Sequence, residues 1–272
     1  MNKPLRVGAV IYDPKVTVIW GIISDFFKDE GAPTECAYFE DYAQQVDALL
    51  EGDIDIAWNS PLAWLDAYLR SDGGCLNGAM RDTDRDRKSC FLVRKDSGFA
   101  GLADLRGATI GFGATDSPQA RLIPISHLHK QGLEYEKDYV ERRFNKGEGL
   151  HGDHVGGELD AVKALAAEEV DATVALDFNW ASWQKDGTVD ASQLICLATT
   201  ELFDHCIFSG RPDLEPERFD AWLEVLQRMD YSNPQHRTMM DMEGLKAWVP
   251  GRTSGFKEIQ DANAYLGFFK AG

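Results

Sequence analysis

Residues 53–69, DIDIAWNSPLAWLDAYL, decide the fold class of this chain. Their apolar run 54–58 predicts a buried strand, and an amphipathic helical pattern begins directly after Asn59 and Ser60. Ser60 suits an N-cap, and Pro61 stands at the first helical position, where its missing N–H costs no hydrogen bond. A strand that runs into a helix through small polar residues is typical of α/β proteins, which bind ligands at such turns.

The same alternation of strand and helix continues along the chain, which predicts an α/β fold. The predicted strands span residues 6–11, 34–39, 54–58, 90–95, 109–112, 139–144, 172–176, 194–199 and 206–209, and the predicted helices span 16–28, 42–51, 61–70, 117–131, 159–168 and 215–229. The remaining C-terminal residues are predicted to be helical in part. The strand-to-helix turn recurs near Gly113 and Asp177, and this recurrence indicates a ligand cleft.

Length and charge restrict the classes of function. The 272 residues suffice for a large core in two domains or lobes. A net charge of −17 argues against nucleic acid and anionic membranes as partners. No apolar run reaches the roughly 18 residues of a membrane span, so no membrane insertion is expected. The N-terminal MNKPLRVGAVIYDP lacks the apolar region of a secretory signal, so we expect a cytoplasmic protein, or a periplasmic one if a signal was removed.

The chain shows no sequence motif for a cofactor or a metal. Walker, dinucleotide, HExxH and GxSxG motifs do not occur, so we expect neither cofactor nor metal. The cysteines are Cys36, Cys75, Cys90, Cys196 and Cys206. Because they are odd in number and scattered without a CxxC, they predict reduced thiols rather than a disulfide framework.

Four segments resemble the phosphate/phosphonate-type solute-binding proteins, which have the periplasmic binding protein type II fold. They are DIAWNSPLAWL (55–65), GLADLRGATIGFGATDSPQARLIP (101–124), GELDAVKALAAEEVDATVALDFNW (157–180) and HCIFSGRPDLEPERFDAWLEVL (205–226). The resemblance implies two α/β lobes, formed by residues 1–93 plus 205–272 and by 94–204. It also implies a ligand cleft between the lobes, hinge closure on the ligand, and an ABC transporter permease as partner if the protein is exported.

The resemblance also suggests ligand contacts. It implies an aromatic contact at Tyr12 and a contact between Asp177 and the cationic end of a ligand. Asn59 and Ser60 occupy the matching loop of the strand at 54–58, and their side chains can hydrogen-bond a ligand of any charge. Trp180 is expected to wall the pocket. The structural alternatives are hinge packing for Tyr12 and helix capping for Asp177.

A second helix start is expected to receive the anionic part of the ligand. Its candidate residues are Thr115, Asp116, Ser117 and Gln119. Thr115 and Ser117 can donate hydrogen bonds, and the helix dipole favours an anion. Pro118 removes one N–H donor, and Asp116 adds a negative charge. A doubly charged phosphonate is therefore disfavoured, and the ligand can be a zwitterion or another anion.

Two further clusters are compatible with the alternative that the protein is an enzyme. The glycine-rich stretch 147–161 contains His151, His154 and Glu158. This stretch can be a loop that contacts the ligand or a flexible loop with solvated histidines. It can also be a metal site, although the three residues lack the spacing of a standard metal-binding motif. His205 and Cys206 lie near the expected cleft, where a thiolate beside an imidazole can act as a nucleophile. Neighbouring strand residues point to opposite faces, so we expect the two side chains not to pair; Cys206 then belongs to the core, while His205 reaches the ligand.

The sequence therefore predicts a binding module for a small polar ligand, anionic or zwitterionic and of the phosphonate or phosphate class. The alternative is a cytoplasmic lyase, decarboxylase or hydrolase of a small metabolite on the same fold, since a fold does not fix a function. Its catalytic candidates are His151, His154, His205 and Cys206.

Overall fold

A computed structural model of the chain describes residues 3–152 and 157–269. These residues form two compact units. The first unit comprises 3–85 and 204–256, and the second comprises 86–152, 157–203 and 257–269. The resemblance predicts boundaries between two lobes that move about a hinge, and these boundaries stay a prediction.

Strands and helices alternate through both units, which confirms the α/β class. The strands are β1 Leu5–Val10, β2 Thr34–Phe39, β3 Ile56–Asn59, β4 Leu76–Asn77, β5 Ala79–Arg81, β6 Ser89–Arg94, β7 Thr109–Phe112, β8 Val140–Arg143, β9 Ala172–Leu176, β10 Leu194–Thr199, β11 Ile207–Gly210 and β12 Trp248–Pro250. The helices are α1 Lys15–Asp29, α2 Tyr42–Glu51, α3 Pro61–Arg70, α4 Ile123–Lys130, α5 Gly157–Ala166, α6 Asp177–Asp186, α7 Pro216–Leu226, α8 Pro234–Glu243 and α9 Lys257–Leu266. A π-helical turn, Pro118–Leu122, leads into α4. Each strand and helix predicted from the sequence overlaps one of these elements.

The first unit contains a sheet with the strand order β2-β1-β3-β11-β4. Strand β1 runs parallel to β2 and β3, whereas β11 is antiparallel to β3, with Ile207 opposite Asn59. The carboxyl ends of β1 and β3 therefore lie at the same edge of the sheet as the start of β11. We call this the first carboxyl edge. Strand β3 is buried along its whole length, as is usual for a central strand of a sheet covered on both faces.

The second unit repeats this arrangement with the strand order β10-β6-β9-β7-β8. Strand β7 runs parallel to β8 and β9. Strand β6 is antiparallel to β9, and Ser89 lies opposite Leu176. The carboxyl ends of β7 and β9 and the start of β6 therefore share one edge, the second carboxyl edge. Strand β9 is buried throughout.

Aromatic side chains dominate the core of the first unit. The ring of Phe208, on β11, lies 4.5 Å from that of Trp58, 5.0 Å from that of Trp222 and 5.4 Å from that of Trp248 between centroids. These contacts join β3, α7 and β12 around one fully buried ring. No helix among the described residues is long and apolar enough to cross a membrane.

The C-terminal helix packs within the second unit, whereas the sequence placed residues 257–269 in lobe one. Lys130 of α4 donates to Glu258 at 2.9 Å and to Asp261 at 2.7 Å. The ring of His129 stacks on Tyr265 with centroids 3.9 Å apart. These ionic and ring contacts lie between residues far apart in sequence, so continuity along the chain does not reveal them.

We expect Phe208→Ala to lower the free energy of unfolding by about 3–5 kcal/mol, because it removes a fully buried ring and leaves a cavity. Urea unfolding followed by tryptophan fluorescence measures this loss. Val18→Ala is the control, since Val18 is 53% exposed on α1 and its truncation should change the free energy by less than about 0.5 kcal/mol. Equal losses in the two variants would contradict the assigned core.

Candidate functional site

The first carboxyl edge brings together the residues that the sequence selected from the first unit. Tyr12 follows β1, Asn59 ends β3, and Ser60 caps α3. His205 and Cys206 immediately precede β11. Their proximity follows from the parallel pairing of β1 with β3 and the antiparallel pairing of β3 with β11.

Two buried amides meet at this edge. Ser60 accepts the N–H of Ala63 at 3.2 Å, which confirms the predicted N-cap. Asn59 is fully buried, and its Oδ1 accepts from Nε2 of Gln45 at 2.9 Å. Within the described part of the chain, Asn59 Nδ2 and Gln45 Oε1 have no hydrogen-bond partner. Buried polar atoms without partners are costly, so this pair offers one donor and one acceptor to a polar ligand.

Gln45 was not among the residues selected from the sequence. It lies on α2, on the side that carries Val46 and Leu49 into the core, and it also donates to the carbonyl of Trp58 at 2.9 Å. A glutamine within the apolar face of an amphipathic helix is the signal that could have identified it.

Tyr12 is partly buried against the core of the first unit. The ammonium of Lys15 lies 5.7 Å from the centroid of its ring. The ring therefore takes part in a local cation–π contact, and its predicted contact with a ligand stays a prediction.

The expectation that His205 and Cys206 do not pair is wrong. Their Nδ1 and Sγ atoms lie 3.1 Å apart. Regular strand geometry begins only at Ile207, so the alternation of faces does not apply to this pair. Both residues are buried, and Cys206 packs in the hydrophobic core as predicted.

A carboxylate completes this cluster. One ligand atom each from Asp84, His205 and Cys206 lies within 4.8 Å of the other two, a spacing in which a metal ion can be held. Arg81, however, donates to both carboxylate oxygens of Asp84, at 2.7 and 2.8 Å, and also pairs with Glu243 at 2.8 Å. The carboxylate of Asp84 thus takes part in a buried ion-pair network, and the predicted contact of His205 with a ligand stays a prediction.

The second carboxyl edge collects the candidates from the second unit. Ser117 accepts the N–H of Ala120 at 3.2 Å and caps the helical segment that begins at Pro118. Gln119 receives, at its backbone carbonyl, a 2.5 Å hydrogen bond from the hydroxyl of Ser89, the first residue of β6. The backbone N–H of Thr115 donates to Asn145 at 2.8 Å. These bonds fix the turn after β7 against its neighbours.

Asp116 is turned toward the glycine-rich loop. Its Oδ2 accepts the N–H of Gly149 at 2.7 Å, and the backbone of His151 also donates to the carboxylate. Burial raises the pKa of the Asp116 carboxyl, and these backbone donors act in the opposite direction. The sequence predicts that the negative charge of Asp116 disfavours an anion at this helix start. Backbone N–H groups partly compensate that charge. His151 itself is buried in a left-handed conformation, with φ 53°, and His154 lies outside the described residues.

Glu158 connects three parts of this edge. Its Oε1 accepts from Nε2 of Gln119 at 3.0 Å, and its Oε2 accepts the N–H of Leu176 at 2.9 Å and Nδ2 of Asn179 at 3.2 Å. The carboxylate is buried and holds the turn after β7 against the end of β9. Gln119 Oε1 has no hydrogen-bond partner among the described residues. Glu158 thus positions the amide of Gln119.

Asp177 is the first residue of α6, directly after β9. Its Oδ1 accepts the N–H of Phe178 at 2.9 Å, and its Oδ2 lies 3.7 Å from a guanidinium nitrogen of Arg87. Its contact with a ligand cation stays a prediction. Arg87, two residues before β6, was missed because it is one of several charged residues in 81–88 and nothing in that sequence distinguishes it.

The expected place of Trp180 in the wall of the pocket stays a prediction. It is buried in a hydrophobic cluster with Leu92, Val162 and Leu194. Trp180 is the buried residue of α6, and its contacts in this cluster support a packing role.

Comparison with known proteins gives a consistent picture. The family model of the phosphonate ABC transporter periplasmic substrate-binding protein matches residues 13–263. A protein of Prochlorococcus marinus (strain MIT 9301), described as the probable ABC transporter phosphite-binding protein PhnD1, is 27% identical over 281 residues, which cover 97% of this chain and 90% of that protein.

Solved structures share the fold. PhnD1 of Prochlorococcus marinus in complex with methylphosphonate has a TM-score of 0.73 at 19% identity, covering 98% of this chain and 99% of that one. A binding-protein component of an ABC phosphonate transporter from Pseudomonas aeruginosa has a TM-score of 0.66 at 16% identity, covering 96% and 86%. These likenesses confirm the two-lobed periplasmic-binding-protein fold.

None of these relatives is described as an enzyme, so the alternative of an enzyme on this fold gains no support from them. The family description is of periplasmic proteins and does not support the expected cytoplasmic location. Since the family model covers most of the chain, this protein belongs to the family of periplasmic substrate-binding proteins of phosphonate ABC transporters.

Proposed function

We propose that this chain binds a small phosphorus oxyanion of the phosphonate or phosphite class and delivers it to an ABC transporter permease. The observation that carries the proposal is the relationship to PhnD1, which extends over 97% of the chain. That relative is described as phosphite-binding, and its solved structure contains methylphosphonate. Each carboxyl edge, taken by itself, offers polar groups that suit such a ligand.

Each edge contains the start of a helix, and the start of a helix favours the binding of an anion. Ser60 and Pro61 begin α3, and Ser117 and Pro118 begin the segment that continues as α4. The first turn of a helix carries partial positive charge and unpaired N–H groups, and both favour an oxyanion. At the first edge, the amide nitrogen of Asn59 adds a buried donor that has no partner in the described chain.

The charges at the second edge favour an anion of low charge. Arg87 supplies a cation beside Asp177, while Asp116 keeps a carboxyl whose pKa is raised by burial. A second full negative charge on the ligand would be repelled by the two carboxylates. A singly charged oxyanion, or a zwitterion whose cation approaches Asp177, fits better.

The compartment follows from the transporter role. Delivery to a permease by a family of this description implies the periplasm. Fractionation of cells that express the native gene distinguishes the periplasm from the cytoplasm. Recovery with the cytoplasmic marker would contradict delivery to a permease.

Calorimetry with methylphosphonate, phosphite and an alkanesulfonate tests the proposal. We expect binding of the two phosphorus oxyanions and weaker binding of the sulfonate. Phosphorus NMR of the same samples should recover the ligand chemically unchanged after long incubation. Absence of heat and of thermal stabilisation with every phosphorus oxyanion would contradict the proposal, and turnover of the ligand would favour the enzyme alternative.

We expect Asn59→Asp to weaken the binding of methylphosphonate about tenfold or more, because it replaces a buried donor with an acceptor of like charge to the ligand. Titration calorimetry gives the ratio of dissociation constants. Asn233→Asp is the matched control: it makes the same chemical change at the N-cap of α8, where aspartate caps equally well. Thermal melts establish that both variants fold, and equal affinities of the two folded variants would exclude Asn59 from the ligand contacts.

Asp177→Asn separates a zwitterionic ligand from a simple anion. If Asp177 holds a ligand cation, the variant should lose roughly 1.5–3 kcal/mol of binding free energy for an aminoalkylphosphonate and bind methylphosphonate at least as well as the parent protein. Glu217→Gln, an exposed change on α7, is the control and should leave both affinities unchanged. A parallel loss for both ligands would show that Asp177 acts on the fold and not on a cation.

A further inference from the structure

Two cysteines of the second unit are neighbours across a strand pair. Strand β10 is antiparallel to β6, with Cys196 opposite Leu92 and Thr199 opposite Cys90. Cys90 and Leu92 project from the same face of β6, because side chains alternate along a strand. Cys196 is therefore the diagonal neighbour of Cys90 on that face. The register shifts between Cys196 and Ala198, and the two side chains are close enough for their thiols to interact.

The two thiols differ in environment. Cys90 is buried in a hydrophobic cluster, whereas Cys196 is exposed on β10, the edge strand of the sheet. The hydrogen bond from Cys90, aided by the ammonium of Lys88 and opposed by desolvation, lowers the pKa of Cys196 to about 7. The same hydrogen bond and burial raise the pKa of Cys90. An exposed thiolate beside a buried thiol is the arrangement of an attacking and a resolving cysteine.

We propose that Cys90 and Cys196 form a thiol–disulfide exchange site that reacts with low-molecular-weight disulfides and closes to an intramolecular disulfide. This site is separate from ligand binding and does not rest on the proposed function. It also revises the expectation from the sequence that the cysteines are reduced thiols without a disulfide framework. The remaining cysteines, Cys36, Cys75 and Cys206, belong to the first unit.

The reaction needs only a disulfide as oxidant. The thiolate of Cys196 attacks one sulfur of oxidised glutathione, forms a mixed disulfide and releases one glutathione thiolate. Cys90 then loses its proton to solvent and attacks the sulfur of Cys196, and the second glutathione leaves as a thiolate. The protein dithiol is oxidised by two electrons, and one glutathione disulfide is reduced to two thiols.

The disulfide would attach edge strand β10 covalently to β6. It would close a loop of about 105 residues, and a crosslink across so long a loop restricts the unfolded chain strongly. We therefore expect oxidation to raise the melting temperature by roughly 5–10 °C.

Incubation of the reduced protein with oxidised glutathione, followed by alkylation, trypsin digestion and mass spectrometry, tests the proposal. Trypsin releases Cys90 on peptide 89–94 and leaves Cys196 and Cys206 together on peptide 186–218, because it does not cleave between Arg211 and Pro212. Cys196→Ser should abolish the crosslink between these peptides, whereas Cys206→Ser should retain it. If Cys206→Ser fails to fold, digestion of the parent protein at acidic residues separates Cys196 from Cys206 and assigns the bond directly.

Alkylation rates give a second readout. At pH 7 the exposed Cys196 should react with iodoacetamide at least about tenfold faster than Cys36, because about half of Cys196 is thiolate, whereas burial raises the pKa of the Cys36 thiol. The proposal is overturned if Cys90 and Cys196 both remain alkylatable after prolonged exposure to oxidised glutathione. It is equally overturned if the mixed disulfide at Cys196 persists without resolution by Cys90.

Discussion

The burial of the central strands on both faces is the constraint on which the rest of the structure depends. Strands β3 and β9 expose no part of their length to water, so their interiors must be almost wholly apolar. Polar side chains can therefore gather only where these strands end. Because each unit pairs parallel strands with one antiparallel neighbour, those ends and one strand start meet at a common edge. The candidate site residues follow from this geometry.

Buried charge at these edges is held by specific partners. Glu158 accepts from one backbone N–H and two side-chain amides, and Asp116 accepts from the backbone of the glycine-rich loop. Asp84 is paired with Arg81 on both oxygens. Each carboxylate is thereby compensated locally, since a buried charge without a partner is costly. These partners keep the turns in place, and the amides of Asn59, Gln45 and Gln119 each retain a polar atom without a hydrogen-bond partner among the residues that the structure describes.

An acidic chain with a net charge of −17 can still bind an anion. The long-range field of the surface is screened within about 8–10 Å at physiological salt, whereas a helix start and a guanidinium act on a ligand at contact distance. The surface charge therefore argues against polyanionic partners such as nucleic acid but does not decide the charge of a small ligand. Family membership and the local donors carry more weight for that question.

The sequence by itself determined the alternation of strands and helices, the Ser–Pro helix starts at Ser60 and Ser117 and the family, because these depend on local periodicity, capping and short motifs. Only the tertiary structure decided contacts between distant segments. Gln45 meets Asn59 across α2 and β3, α9 packs on α4 through Lys130, and Cys90 contacts Cys196 across β6 and β10. The sequence did not predict the contact between His205 and Cys206, because the backbone at these two residues is not a regular strand. Pairing and register bring such residues together, and both are set by how the whole chain buries its apolar surface, which no local pattern records.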